Sequence, residues 1–231
     1  MPRAILSPIS NFWYVLLNLL YPQNCLICNL KLKAIRPGSI CEDCSNKIRI
    51  NEIASCLVNE ADKFAFDAVL HAANYDDVIK RCIHLFKYEN KVQMKDLLGK
   101  LMSDFAGRNI DPDEIDFVVP VPLHPVKLRE RQFNQSEVLA AYLAKKLNKK
   151  MVKDRLKRIK YTMPQTELKR EQRLKNVNGA FRAKRNTNFE DKTVLLVDDV
   201  LTTGATLNEC AKALKDAGAK KVIAFALARG N

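Results

Sequence analysis

The feature of this sequence that most constrains its fold is the segment from Val194 to Thr206, VLLVDDVLTTGAT. Four apolar residues typical of a buried strand lead into two adjacent carboxylates, Asp198 and Asp199, and then into a loop of small and hydroxyl-bearing residues. A helical pattern begins at Ala205. A strand, a short loop and a helix in this order predict an α/β domain. In that class, ligands bind at the carboxyl ends of the strands.

The loop after the two carboxylates predicts a phosphate site. Backbone N–H groups at the start of a helix bind phosphate, threonine hydroxyls add donors, and Gly204 allows a close backbone approach. Asp198 and Asp199 would repel phosphate, so we expect them to accept hydrogen bonds from the vicinal hydroxyls of a ribose. The segment therefore predicts a ribose 5-phosphate ligand, with phosphate-binding residues Val200, Leu201, Thr202, Thr203, Gly204, Ala205 and Thr206.

Other nucleotide-binding motifs do not fit this loop. A Walker P-loop requires a lysine directly after its last glycine, and none follows Gly204. A dinucleotide fingerprint requires three spaced glycines, which are absent from the segment. A purely structural turn would not need two carboxylates and three threonines together.

Four cysteines near the N-terminus form two pairs, Cys25-x2-Cys28 and Cys41-x2-Cys44, with twelve residues between them. Each pair can turn two thiolates toward one ion, and the intervening length lets the second pair complete a tetrahedral site. This spacing predicts a structural four-cysteine zinc ribbon. Its folding would depend on the metal, because so short a segment has little core of its own. Free buried cysteines are the alternative, but they rarely occur as two such pairs.

The stretch from Phe12 to Tyr21 is the most apolar in the chain. It is too short to span a bilayer, which takes about 20 apolar residues. A signal-peptide core is an alternative, but no small-residue cleavage site follows it. We therefore expect a short amphipathic helix packed on a cytoplasmic protein that is not an integral membrane protein. In the cytoplasm, paired cysteines more often hold metal than form disulfides.

Strand and helix patterns alternate after the cysteines. The predicted strands are 66–73, 115–119, 180–183, 193–197 and 221–227, and the predicted helices are 76–88, 91–105, one starting near 134, and 205–217. Residues 123–133 are predicted to be a loop. The pattern predicts a doubly wound, mainly parallel α/β sheet. The expected domains are a helix at 1–23, a zinc ribbon at 24–60 and the α/β domain at 61–231.

The positive charge of the chain is concentrated in one region. Residues 145–185 hold sixteen lysines and arginines against three acidic residues, a difference of +13 that equals the net charge of the whole chain. Such a concentration attracts phosphate, either in a small ligand or in nucleic acid. A solvated lysine-rich surface is the alternative interpretation.

The Val194–Thr206 segment resembles the phosphoribosyl-pyrophosphate (PRPP) motif of type I phosphoribosyltransferases. From Leu19 to Arg229 the chain resembles the ComF family of bacterial proteins, which are linked to natural competence and DNA uptake. The resemblance rests on the cysteine pairs, on the PVPLH run at 120–124 and on R-x-RQFNQ at 129–135. It also rests on Gln165, Arg173, Asn176 and the GAF run at 179–181. One departure is Gln132, where the family pattern usually has glycine.

This resemblance implies a type I phosphoribosyltransferase-like fold that binds PRPP together with Mg²⁺, and places Asp198 and Asp199 at the reacting sugar. It implies that the pyrophosphate lies near residues 120–123 and faces the cations Arg129, Arg131, Lys157 and Arg158, with Arg170 and Arg173 closing over it. It also implies a role in competence, with single-stranded DNA and a helicase or translocase as partners.

Three functions remain open from the sequence. The first is a PRPP-binding competence factor, and the second is an active phosphoribosyltransferase that releases pyrophosphate to an unidentified acceptor. The third is a zinc-ribbon nucleic-acid binder whose α/β domain has no ligand. The sequence contains no identifiable acceptor site and no glutaminase domain, so it leaves open whether the chain is an enzyme.

Overall fold

The structure is a computed structural model that describes residues 24–32, 39–52, 64–89, 91–162, 176–184 and 188–230. The predicted helix at 1–23 lies outside the described residues, as do Arg170 and Arg173.

Helices and strands alternate through most of the described chain. The helices are α1 (Glu42–Asn46), α2 (Asp77–Tyr88), α3 (Met94–Asn109), α4 (Pro125–Arg131), α5 (Gln135–Leu147) and α6 (Ala205–Lys215). The strands are β1 (Ala68–Asn74), β2 (Phe117–Pro120), β3 (Lys150–Met151), β4 (Leu156–Arg158), β5 (Phe181–Ala183), β6 (Thr193–Leu201) and β7 (Lys221–Arg229).

Five strands form a sheet in the order β1-β7-β6-β2-β3, and every neighbouring pair in it is parallel. The strands β4 and β5 form a separate antiparallel hairpin. Residues Val194–Val197 of β6 and Val222–Ala228 of β7 are continuous apolar runs because helices cover the sheet on both faces. The predicted fold class, a doubly wound and mainly parallel α/β sheet, is confirmed.

Alternation along the strands divides the core into two clusters. On β6, Leu195 and Val197 pack with α2, α3 and α5 on one face, whereas Val194 and Leu196 pack with α6 and the β4–β5 hairpin on the other. All four side chains are fully buried. The strand therefore stays fixed in register, because a slip of one residue would exchange the two faces.

The cysteine segment packs against the outer edge of the sheet. The Asn51 N–H donates to the Ala72 carbonyl at 2.9 Å, and the Asn74 N–H donates to the Arg49 carbonyl at 3.1 Å. Cys25 and Cys44 are buried in the same cluster as the side chains of α2 and α3. These contacts cover the exposed backbone groups of β1, which would otherwise be an open sheet edge.

Several local predictions differ from the structure. The strand predicted at 193–197 runs on to Leu201, so Asp198 and Asp199 lie within β6 rather than after it. Residues 123–133 are not a loop throughout, because α4 occupies Pro125–Arg131. Proline suits the first position of a helix, and the His124 ring accepts a hydrogen bond from the Val126 N–H at 3.3 Å, which caps this helix. The hairpin partner β4 was not predicted, since three residues with mixed polarity give no periodic signal.

Candidate functional site

The candidate site is a cavity of about 840 Å³ at the carboxyl end of the central strands. It exists because β2 pairs with β6 only as far as Val197, while β7 pairs with β6 as far as Leu201. Beyond Pro120, the side of β6 that faces β2 is therefore unpaired, and residues 198–200 line the cavity. This is the position at which open α/β sheets bind ligands. A second cavity of about 580 Å³, beside the β4–β5 hairpin, is lined by none of the predicted site residues.

The two carboxylates lie within β6 and have different partners. The Asp198 carboxylate accepts hydrogen bonds from the Ser136 hydroxyl and from the Asp199 N–H, each at 2.9 Å. The Asp199 carboxylate forms an ion pair with Lys87, whose Nζ lies 2.7 Å from Oδ2 and 2.8 Å from Oδ1. Both carboxylates line the cavity, as the predicted ribose contact requires.

Burial, followed by the neighbouring charge of Asp199, raises the pKa of Asp198 to about 7. Lys87 and the hydrogen bonds from Asp199 and Ser136 oppose this rise without cancelling it. The pair therefore carries less than its full negative charge at mildly acidic pH, which reduces the repulsion of a phosphorylated ligand.

This pKa predicts how stability depends on pH. Asp198 has a higher pKa in the folded state than its ordinary value of 3.8, so its contribution to stability is present below pH 4 and is lost as pH rises through about 7. We expect the free energy of unfolding of Asp198→Asn, relative to the parent, to increase over this interval by up to about 1.4 kcal/mol per pH unit. Urea denaturation at pH 4 to 8 measures the difference, and a constant difference would contradict the raised pKa.

The hydroxyl-rich loop connects β6 to α6. Gly204 has φ of 74° and is the N-cap residue of α6, with the Asn208 N–H donating to its carbonyl at 2.8 Å. Thr202 and Thr206 line the large cavity, whereas the inner recess of the loop has a volume of only about 10 Å³. A phosphate would therefore bind at the mouth of the loop, against these threonines, rather than inside the recess.

Replacing Gly204 tests whether the loop needs this backbone shape. A Cβ at Gly204 would lie 3.3 Å from the Phe64 ring, and the positive φ disfavours a side chain by about 1–2 kcal/mol. We expect Gly204→Ala to lower the free energy of unfolding by that amount and to weaken phosphate binding. Chemical denaturation measures the first effect and calorimetric titration the second. Gly230→Ala is the control, because its Cβ would meet only ordinary contacts at 3.6 Å or more. Equal stability of the two variants would contradict the account of the loop.

The structure brings two of the four predicted pyrophosphate cations to the cavity. Arg131 and Arg158 line it, whereas Arg129 and Lys157 are exposed and do not. Arg131 donates to the Gln135 Oε1 at 3.3 Å and to the Tyr88 hydroxyl at 3.0 Å. The Arg158 guanidinium lies over the Phe181 ring, and burial lowers its pKa.

Two buried donors around this cavity have no hydrogen-bond partner among the described residues. They are the Nε2 of Gln135 and the Nε of Arg158, and both residues line the cavity. Since Arg131 donates to the Oε1 of Gln135, the Nε2 atom is the free end of that amide. Unpaired buried donors are costly, and a ligand with many acceptor oxygens would satisfy them.

The cavity-lining residues that make specific contacts and that the sequence prediction missed include Lys87, Ser136 and Gln135. In the sequence, Gln135 stands out only as part of the R-x-RQFNQ motif, which does not indicate a contact with the ligand. Lys87 stands 112 residues from its partner Asp199, and no local pattern marks it.

The four paired cysteines form a cluster near the N-terminus of the described chain. Their Sγ atoms all lie within 4.8 Å of one another, and none forms a disulfide. The Sγ of Cys25 accepts hydrogen bonds from the N–H groups of Ile27 and Cys41, at 3.4 and 3.3 Å. Burial acts to raise the pKa of Cys25, but backbone N–H groups outweigh it and lower the pKa to about 6. The Cys25 thiolate is stabilised in this way, which suits it to bind a metal ion, whereas the pKa values of Cys28 and Cys44 are raised in the metal-free cluster.

In the part of the chain that the structure describes, no helix combines the length and the apolar character needed to cross a bilayer.

Known proteins resemble this chain along most of its length. Competence protein F of Haemophilus influenzae is 28% identical over 209 residues, which cover 88% of this chain and 90% of the relative. Competence protein ComFC of Bacillus subtilis is 29% identical over 212 residues, which cover 89% and 83%. The DNA utilization protein YhgH of Escherichia coli K12 is 26% identical, over 90% of this chain and 97% of the relative.

Residues 134–231 match the family described as the phosphoribosyl transferase domain. Among solved structures, a purine phosphoribosyltransferase from Pyrococcus horikoshii Ot3 covers 59% of this chain and 82% of its own, at 17% identity and a TM-score of 0.36. That overlap is too low to support any conclusion about function.

The parallel sheet, the carboxylate pair and the domain match define a phosphoribosyltransferase-type α/β protein with an N-terminal cysteine cluster. Its relatives over nearly the whole length are competence protein F, ComFC and YhgH, and this similarity supports the ComF family.

Proposed function

We propose that this protein binds PRPP, or a related phosphoribosyl ligand, in the cavity at the end of β6, and acts in natural transformation. The observation that carries the proposal is the convergence of three chemical groups on one cavity. Thr202 and Thr206 would bind the 5-phosphate, the Asp198–Asp199 pair the ribose hydroxyls, and Arg131 with Arg158 the diphosphate. Clustered negative charge in the ligand suits the two guanidinium groups.

Two metal ions belong to this proposal. Zn²⁺ would be held by Cys25, Cys28, Cys41 and Cys44, because four thiolates in a closed cluster favour zinc. Mg²⁺ would enter with PRPP, bound to its diphosphate oxygens, since this ion keeps several waters and binds through substrate phosphates. We propose three segments for the chain, namely the helix at 1–23, the zinc ribbon at 24–60 and the phosphoribosyltransferase-like domain at 61–231.

In the cell, we propose that the protein handles incoming single-stranded DNA in the cytoplasm, together with a partner translocase. The names of its relatives refer to competence and DNA utilization, which supports a DNA-related role. Lysines and arginines on the described surface at 145–160 would contact the DNA phosphates. Lys149, Lys150 and Lys157 lie there among exposed or half-buried positions. We expect no sequence-specific reading, because few aromatic residues accompany these cations.

Calorimetric titration with Mg-PRPP, ribose 5-phosphate and single-stranded DNA, separately and in competition, tests the proposal. We expect saturable binding of PRPP and of DNA, with DNA affinity falling steeply as salt concentration rises. A protein that binds DNA but neither phosphoribosyl ligand would contradict the ligand proposal. A DNA affinity that does not depend on salt would contradict the phosphate contacts.

A second candidate function is an active phosphoribosyltransferase. The observation that favours it is that Tyr75 and Tyr88 also line the cavity, where they could contact a second substrate. Release of pyrophosphate from PRPP, screened against bases and nucleosides, would support turnover. Saturable PRPP binding without pyrophosphate release for any acceptor would favour the binding function.

A further inference from the structure

Lys87 is the last lysine of α2, and its position joins two distant parts of the chain. Its Nζ lies 2.7 and 2.8 Å from the two carboxylate oxygens of Asp199. The two side chains are only 17% and 11% exposed. Lys87 also lies outside the segment, 134–231, that matches the phosphoribosyl transferase domain. The cation that pairs with Asp199 thus comes from a helix that precedes that domain.

An ion pair this enclosed contributes more to geometry than to stability. Removing two charges from water costs about as much as their attraction returns, so such pairs often add little to the free energy of folding. This pair does fix the orientation of the Asp199 carboxylate, because Lys87 approaches both of its oxygens at once. A carboxylate has roughly four lone-pair sites, so two remain for hydroxyl donors.

Lys87 is the group that fixes the orientation of the Asp199 carboxylate. Asp198, the other charged group beside it, is itself held by the Ser136 hydroxyl. Tyr75 is close enough for the charges of Lys87 and Asp199 to act on its hydroxyl, and burial raises the pKa of that hydroxyl. The structure shows no other cation paired with Asp199 among the described residues.

We propose that Lys87 is a positioning residue for sugar recognition, which holds the Asp199 carboxylate so that its free lone pairs accept the ribose hydroxyls. This rests on the proposed phosphoribosyl site. Lys87 would then select ligands that carry a ribose without contributing to the binding of the phosphate itself, which the Thr202–Thr206 loop performs.

Lys87→Met tests the proposal, with Lys80→Met as the matched control. Lys80 is an exposed lysine on the same helix at the rim of the same cavity, and it forms no ion pair with any residue that the structure describes. We expect Lys87→Met to lower the affinity for ribose 5-phosphate about tenfold and the affinity for inorganic phosphate less than about threefold. Lys80→Met should change the two affinities equally, and Lys87→Arg should restore much of the selectivity because it keeps the cation.

A double-mutant cycle with Asp199→Asn separates positioning from a structural role. Once Asp199 is neutral, adding Lys87→Met should cost little further affinity for ribose 5-phosphate. The double variant also leaves no unpaired buried charge, so it remains informative if Lys87→Met alone unfolds. Melting temperatures of all variants identify losses that come only from stability.

The outcomes distinguish this inference from the proposed function. If the parent protein binds neither ribose 5-phosphate nor Mg-PRPP, the proposed function fails; if it binds only Mg-PRPP, the same variants are compared with that ligand. If the parent binds either ligand and Lys87→Met binds it equally well, only the positioning role fails. Equal losses of ribose 5-phosphate and inorganic phosphate in Lys87→Met would also overturn it, because Lys87 would then act on the phosphate.

Discussion

The Asp198→Asn, Asp199→Asn double variant is expected to bind Mg-PRPP about 100-fold or more weakly than the parent protein. Hydrogen bonds to charged groups are worth about 1.5–3 kcal/mol each, and the variant weakens those of two carboxylates. The same change makes the cavity less negative, so any affinity that came from attraction of the phosphates alone would rise. A fall in affinity therefore reports recognition of the sugar. Calorimetric titration measures it.

A matched control for this variant is Asp154→Asn with Asp191→Asn. Both residues are exposed and neither lines the cavity, so this pair makes the same change in net charge away from the site. We expect the control to bind PRPP like the parent. Unchanged or tighter binding by the Asp198–Asp199 variant, with its melting temperature intact, would contradict the role of the pair.

The second large effect is expected at the cysteine cluster. Cys44 is buried in the core beside α2 and α3 and is one of the four clustered cysteines that could hold a metal ion. We expect Cys44→Ser to lose the proposed metal and the fold of residues 24–32 and 39–52, because a structural zinc contributes about 10–16 kcal/mol of binding free energy in short zinc modules. Elemental analysis measures the metal, and limited proteolysis measures the fold.

The control for Cys44→Ser is Cys210→Ala, which removes a buried thiol from α6 in the other core cluster. We expect it to retain one metal ion per chain. A parent protein purified without metal, or a Cys44→Ser variant that keeps its metal and its protease resistance, would contradict the predicted site.

Most strands and most helices could be predicted because each of these produces a local pattern. The β6 run Val194–Val197 is apolar because both faces of the sheet are covered, and α5 shows the spacing of an amphipathic helix. The cysteine spacing predicted a cluster that the structure also shows. These patterns arise from residues that are close together in the sequence, so they can be recognised without any knowledge of the fold.

The direction of individual side chains could not be predicted in the same way. Arg129 and Arg131 belong to one helix two positions apart, so they point to nearly opposite sides, and only Arg131 lines the cavity. Lys157 and Arg158 are neighbours on a strand and alternate likewise. The sequence could not indicate which member of each pair faces the ligand, since that depends on how α4 and the hairpin are placed against β6.

Phosphorus-31 NMR of Mg-PRPP during titration with the protein tests the central claim most directly, because the 5-phosphate and the diphosphate give separate resonances. We expect both sets to shift and to saturate at one ligand per chain. In Arg158→Met, the 5-phosphate shift should persist and the diphosphate shift should shrink. Resonances that stay unchanged at saturating concentrations of the folded, metal-bound protein would contradict a phosphoribosyl site at the end of β6.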